Sequence, residues 1–409
     1  MIKQVIAACI LSSTLFAGEI FVNVNSGKAG NPGTKEAPLP SLRHALKKVV
    51  PGDTIYIMPS PNPILDNVFL NNVKGTPDKP ITIDCMNNIF LGASQLDPKE
   101  WQMVKPGLYR KKIITGRNMY ARFFLVFNGK INRMGRIQKA PGAKPYKKVK
   151  DLAPGEWTVV VGKKVSDKRP HPQFEVEYFV RLPENAKSLA DSGITEPKNS
   201  RSDGVCLRGN SKNLIIRNVI AKNFYNDGYN IHGKCENIHF ENIASVDCGD
   251  DGISAHEACT ISLKNGVFIG SSTAICHIQD VTATHENVYA EKITGREIYL
   301  VSSGRNDIKN AYIIADSQSG CYWSNKEQTP SGELSNIYAI SNNPKSVFVH
   351  FDPRKSKMKF SNIRLANFKQ IIKSPEVKTL PASEIKGKIE AARKSLFALF
   401  GGNLEKALQ

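Results

Sequence analysis

Short apolar runs of strand length, separated by Gly, Asn and Asp, occupy the second half of this chain: LIIRNVIA, IHFENIAS, ISLKNGVF, IKNAYIIA and LSNIYAIS. They are rich in β-branched and aromatic residues, and none keeps a 3.6-residue apolar period long enough for a helix in each unit. An Asn introducing such a run recurs at Asn218, Asn242, Asn265, Asn287, Asn310, Asn336 and Asn362, in steps of 24, 23, 22, 23, 26 and 26 residues. A sustained period in the twenties is the signature of a solenoid. The Leu-x-x-Leu-x-Leu pattern of leucine-rich repeats is missing, so the expected fold class is all-β: a right-handed parallel β-helix, with the Asn column satisfying turn backbone groups coil after coil.

Inside this beat one phrase occurs three times in register: SDGVCLRGNS from Ser202, NDGYNIHGKC from Asn226 and DDGISAHEAC from Asp250. Residues one period apart lie on adjacent parallel strands about 4.8 Å apart. Alternation then sorts the phrase into two faces. Val205, Leu207, Tyr229, Ile231, Ile253 and Ala255 are expected to point inward. The outward columns are Cys206, Asn230 and Ser254, and beside them Arg208, His232 and His256, below a column of Asp203, Asp227 and Asp251.

The flanks divide the chain further. Residues 1–17, MIKQVIAACILSSTLFA, read as a cleavable signal peptide, which implies a secreted protein, and no segment is expected to insert stably in a membrane. Residues 18–94 hold strands and a short amphipathic helix around Ser41–Val49 that would cover the open apolar end of the solenoid. Residues 95–194 break the repeat and read as a β-rich insert flanking the groove; the main solenoid spans 195–373, and the helical periodicity of 374–409 predicts a helix that caps or lies against the last coils. The run NPGTKEAPLPSLRHALKKVVPGDTIYI, followed by NNVKGTPDKPITIDC, resembles the opening of secreted bacterial β-helix proteins of the pectin-lyase-like superfamily. Phrases of the insert, such as LDPKEWQMVKPGLYRKKI and VFNGKINRMGR, are similar to an insert of carbohydrate enzymes in that superfamily.

Charge narrows the partners. The chain carries 56 Lys and Arg against 37 Asp and Glu, a net charge of +19, with a dense basic stretch from Arg133 to Arg169. No aromatic interleaving or nucleic-acid fold signature accompanies it, so the expected partner is an acidic polysaccharide, bound by a monomer. Removing Cys9 with the leader leaves seven cysteines, an odd and scattered set that is no disulfide framework; Cys235 and Cys259, one period apart, either stack as thiols or bridge.

Three chemistries compete for the outward columns. Glycoside hydrolysis needs two carboxyl groups, one protonated, and Asp227, Asp250 and Asp251 supply neighbouring carboxylates that raise one another's pKa. NDGYNI and CGDDGIS resemble the Asn-x-Asp and Gly-Asp-Asp motifs of polygalacturonase-type hydrolases; that resemblance implies a place near the active site for His277, although the family's Gly-His-Gly triplet is absent at Cys276–Ile278. Proton abstraction from a uronate, by a lyase or C5-epimerase, would use His232 or His256 as base and Arg208 as the cation. DGISAHE resembles the Asp-Pro-His-Glu signature of mannuronan C5-epimerases, with Ser254 and Ala255 where that motif has Asp and Pro. The third reading is non-catalytic, a polysaccharide-binding or surface protein in which Asp203 and Asp227 cap turn amides or bind a Ca²⁺ ion. The candidate catalytic residues are thus Asp227, Asp250, Asp251, His256 and His232, with Arg208, Asn230, Ser254, Glu257 and His277 as substrate-binding candidates; no other metal or cofactor is implied.

Overall fold

In a computed structural model, residues 17–116, 120, 122–132, 147–167, 172–316, 321–323, 330–343, 345–350, 357–369 and 374–409 are described. Residues 1–16, which hold most of the expected signal peptide, and much of the basic stretch lie outside these residues. The strands of the repeat form two parallel sheets, one of eleven strands and one of eight. Each full coil gives the larger sheet one long strand, as in Lys212–Lys222, Glu236–Val246, Thr260–Ile269 and Thr282–Glu291. It gives the smaller sheet one short strand, as in Val205–Arg208, Tyr229–Ile231, Asp251–Ala255 and Thr273–Gln279. The chain is therefore a parallel β-helix.

The long strands turn a corner at the asparagines. Asn218, Asn242, Asn265, Asn287, Asn310, Asn336 and Asn362 all have φ between 52° and 64°, the left-handed region that Asn tolerates better than most residues. Their side chains bond to one another rather than to the turn backbone: each Nδ2 donates to the Oδ1 one coil earlier, at 2.7–3.1 Å from Asn242 to Asn362, and Asn218 closes the row on Asp84 at 3.0 Å. An amide has a donor and an acceptor on opposite sides, so identical residues stacked at strand spacing satisfy each other indefinitely.

The six residues expected to point inward are all fully buried in the main core. The register follows from this: Val205 pairs with Tyr229 and Tyr229 with Ile253, while Cys206, Asn230 and Ser254 form the adjoining outward column. The next coil takes only 22 residues from Asn265 to Asn287, and Ala255 pairs with His277. That register puts His277 on the core face, which corrects its expected place beside the outward groove. Opposite it His285 occupies an inward position between Leu263 and Ile308. His277 Nδ1 lies 2.6 Å from Asn306 Oδ1 and its Nε2 lies 3.2 Å from His285 Nε2. Because Asn306 spends its amide nitrogen on two backbone carbonyls, its oxygen faces His277, which donates from Nδ1 and accepts at Nε2. Burial pushes the His277 pKa down to about 4 and that of His285 well below the ordinary value, the latter also lowered by His277.

The flanking elements close the solenoid differently at its ends and sides. The helix Leu42–Ala45 buries Leu42 and Ala45 against the first coil. The insert contributes two four-stranded antiparallel sheets, with Trp101, Phe123, Trp157 and Tyr178 in its core. The helix Ala382–Ala398 lies along the outer side of the larger sheet, where Ile385, Ile389, Leu396 and Phe397 pack on Val246, Val267, Ile269 and Tyr289. It crosses strands from Thr260–Ile269 to Lys357–Ala366, and the short helix Asn403–Leu408 reaches back to Ile81–Leu91. The C-terminal segment thus covers a flank along many coils, not the last ones alone, because that flank presents an apolar stripe to which both helices are complementary.

Two outcomes follow. Asn265→Ala removes one donor and one acceptor from the ladder at φ 64° and is expected to cost about 1–3 kcal/mol in urea unfolding; Asn265→Gly, free of backbone strain, is expected to cost less. The buried histidine pair sets an acid limit. In the unfolded chain a histidine titrates near 6.5, so the stability due to neutral His277 is complete above that pH and is lost as pH falls from about 6.5 towards 4, on the order of 3 kcal/mol. Thermal midpoints measured across this window should fall less steeply for His277→Leu/His285→Leu than for the wild type; parallel slopes would reject the assignment.

Candidate active site

The site starts from the repeated Asp-Gly turn. Asp203 Oδ1 accepts from Asn226 Nδ2 and Asn230 Nδ2, both at 2.9 Å, and from the Asp227 amide at 3.4 Å. One coil on, Asp227 Oδ1 accepts the Asp251 amide at 2.9 Å. The aspartates are thus stacked by capping one another's turns, as the structural reading of Asp203 and Asp227 requires. Glycine must follow each of them because the turn grazes the neighbouring wall: a Cβ on Gly228 would sit 2.3 Å from Ser245 Oγ, and one on Gly252 2.5 Å from a ring carbon of Phe268.

At Asp250 and Asp251 the ladder becomes a cluster. One carboxylate oxygen from each of Asp227, Asp250 and Asp251 lies within 4.8 Å of the others. Asp227 and Asp251 are buried. Asp250 is ion-paired at 2.5 Å with Arg122, which also donates to Asn226 Oδ1. Arg122 comes from the insert, where it adjoins Phe123, whose ring stacks on Tyr178. Tyr225, two residues before Asp227, is buried in the same aromatic cluster and fastens the insert to the groove. Nothing in the repeat pointed to Arg122, because the insert has no register; the only signal was a basic residue beside a Phe pair in YARFF.

Electrostatics separates the carboxylates from the imidazoles. Burial, followed by the charges of Asp251, Asp250 and Asp203, holds the Asp227 carboxyl well above the usual range. Burial and then Asp250 push Asp251 up to about 7, against the opposing pull of Arg122 and hydrogen bonds from Cys276 and Thr273. For Arg122, burial works against the charge, but Asp250, Asp227 and Asp251 outweigh it and keep the guanidinium pKa above its ordinary value. The three carboxylates also have the hard oxygen donors and spacing to hold a divalent cation. Asp203, one of the two aspartates first suggested for Ca²⁺, has its oxygens committed to Ser202, Asn226 and Asn230, so a cation would be held by Asp227, Asp250 and Asp251 instead.

Beside the aspartates, at the other end of the same short strands, stands the basic column. His232 and His256 stack with ring centroids 4.2 Å apart and planes 7° from parallel. His256 Nε2 is hydrogen-bonded to Ser254 Oγ at 2.8 Å, and His232 Nδ1 lies 3.4 Å from Glu257 Oε1. Burial, then the neighbouring His232, His277, Arg208 and Arg122, lower the His256 pKa to about 3; burial and Arg208 also lower that of His232. Arg208 Nε lies 3.2 Å from Cys206 Sγ. Glu257 has φ 62° where Gly233, 24 residues earlier, has φ 99°, so an exposed carboxylate stands at a turn position better suited to glycine.

The structure brings Asp227, Asp250, Asp251, His232, His256, Arg208 and Glu257 to one outward face of the smaller sheet, the candidate groove. Asn230 and Ser254 are in its floor, but at 3% and 0% exposure they are covered, not open to solvent as their outward direction suggested. The long side chains of the basic column and the aspartate turn fold over these short residues. His277 is inside the coil. Cys235 and Cys259 are buried free thiols on adjacent coils.

No family profile and no curated protein matches this sequence. Solved structures do. The pectate lyase Pel9A is similar over 90% of this chain and 73% of its own, at 11% identity and a TM-score of 0.49. A glycoside hydrolase is similar over 91% of this chain and 98% of its own, at 10% identity and TM-score 0.43, and XylC in complex with xylose over 85% and 69%, at 10% and 0.41. The parallel β-helix itself is read from this chain's own two parallel sheets.

Proposed function

We propose that this protein cleaves an acidic polysaccharide by hydrolysis, with the aspartates as the acid–base machinery. The observation that supports this most is the Asp227–Asp250–Asp251 cluster held against Arg122. Asp251, with a pKa of about 7, keeps a proton at neutral pH and can deliver it to a glycosidic oxygen. Asp250, paired with Arg122, is the base that accepts a proton from the attacking water. Asp227 braces both through the turn. The basic column of Arg208, His232 and His256 runs alongside on the same sheet, where Arg208 takes the sugar's anionic group. His256, with a pKa of about 3, is a weak base, which argues against histidine-driven elimination or epimerisation.

One observation favours a second reading: the carboxylate spacing is that of a cation site. In that case Asp227, Asp250 and Asp251 hold a divalent cation that neutralises a uronate carboxylate, and the chain is a lyase or epimerase.

The two readings part in one set of assays on polygalacturonate, alginate and sulfated algal glycans. Hydrolysis predicts new reducing ends without ultraviolet-absorbing products, and no loss of rate in EDTA. Under it, Asp251→Asn should lower kcat by about 10²–10⁴-fold with glycan binding and thermal midpoint retained, and His256→Ala by much less. The wild-type rate should also fall as pH rises through about 7, where Asp251 loses its proton. Unsaturated products or altered uronate ratios, abolished by EDTA, would move the assignment to the second reading. Full activity in both variants would remove this groove from consideration.

A further inference from the structure

The groove does not stop at the triplicated phrase. The short strand Val68–Asn71 pairs with Val205–Arg208, so the outward column of Ser254, Asn230 and Cys206 continues to Phe69, and the basic column continues from Arg208 to Asn71. Val68 and Leu70 are fully buried, whereas Phe69, pointing the other way, is 49% exposed. Where the coils around the aspartates have Cys, Asn and Ser, the terminal strand of this sheet carries an aromatic ring facing outward. Folding does not require it there: an exposed Phe gains little from burial, and the position tolerates small polar residues one, two and three coils on. Beside it opens a cleft of about 870 Å³ whose lining includes Arg43, Asp66, Asn67, Asn71 and Lys74. Arg43, Asn71 and Lys74 are exposed.

We infer that Phe69 and this cleft form a distal subsite for the same acidic polysaccharide, the ring stacking on the apolar face of a sugar and the Arg43 and Lys74 cations taking its carboxylate or sulfate. The inference rests on the polysaccharide-cleaving reading above. Continuity supports it. Phe69 is two strand spacings from Asn230 and three from Ser254, roughly 10–14 Å along the groove floor, the length of roughly two to three sugar units in an extended chain. The lining combines the Phe69 ring and the aliphatic Leu42, Leu46, Val49, Val73 and Ile81 with amide side chains and two cations, Arg43 and Lys74, against the one carboxylate of Asp66, a mixture that suits the apolar faces and anionic group of an acidic sugar. A substrate chain long enough to reach from the aspartates to Phe69 gains this contact; a shorter one does not.

The test uses size-defined oligosaccharides of whichever glycan the wild type turns over. Phe69→Ala should raise KM about tenfold on chains of roughly six units or more, leave kcat unchanged, and leave both constants unchanged on the shortest cleavable chains. Phe69→Trp should restore the KM, and Arg43→Ala/Lys74→Ala should reproduce the length-dependent loss. Unchanged KM on long chains, or an equal rise on short and long ones with an unaltered thermal midpoint, overturns the subsite while the cleavage reading stands. A wild type inactive and non-binding on every acidic glycan overturns the cleavage reading, and the subsite falls with it.

Discussion

In a parallel β-helix every side chain has its counterpart one coil away at a strand spacing of about 4.8 Å, and each column must be able to stack on itself. This is the constraint on which the rest of the molecule depends. Apolar columns meet it by packing, as in Val205, Tyr229 and Ile253. The amide column meets it by donating in one direction and accepting in the other. A carboxylate column cannot, because like charges at this spacing repel and neither oxygen has a proton to give.

The aspartate column shows how the chain handles the exception. Asp203 and Asp227 are surrounded by donors from the turn itself, including the amides of the next aspartate. The doubled Asp250–Asp251 exhausts that supply, and the remaining charge is met from outside the solenoid by Arg122. The result is a cluster in which the two buried carboxyls, Asp227 and Asp251, have their proton affinity raised by burial and neighbouring charge and moderated by one guanidinium. Such a cluster costs stability, because buried like charges repel. The insert therefore has an electrostatic function as well as a steric one: without it Asp250 would lack its counter-ion and the groove its wall.

The histidines illustrate how position within a coil decides chemistry. His232 and His256 stand in one outward column and stack face to face, tethered by Glu257 and Ser254. His277, from the following coil, stands in the inward column after Ile231 and Ala255 and joins His285 and Asn306 in a buried chain of hydrogen bonds. All have lowered basicity, mainly through burial.

Periodicity in the sequence was sufficient for the coils, the inward set from Val205 to Ala255, the Asn corners and the stacking of Asp203, Asp227 and Asp251, because each is a local rule repeated at a fixed step. It also gathered most of the groove, since outward columns follow from the same alternation. Three features needed the folded chain. The face of His277 depended on its partner one coil earlier: a coil two residues shorter keeps the alternation and aligns His277 with inward Ala255, not with the outward column. The burial of Asn230 and Ser254 depended on what their longer neighbours do above them. Arg122 depended on the path of an insert that has no repeat, and a contact between residues 122 and 250 leaves no periodic trace in the sequence. Local pattern determines direction and spacing along a solenoid; only the closed chain decides what covers a column and which distant charge answers it.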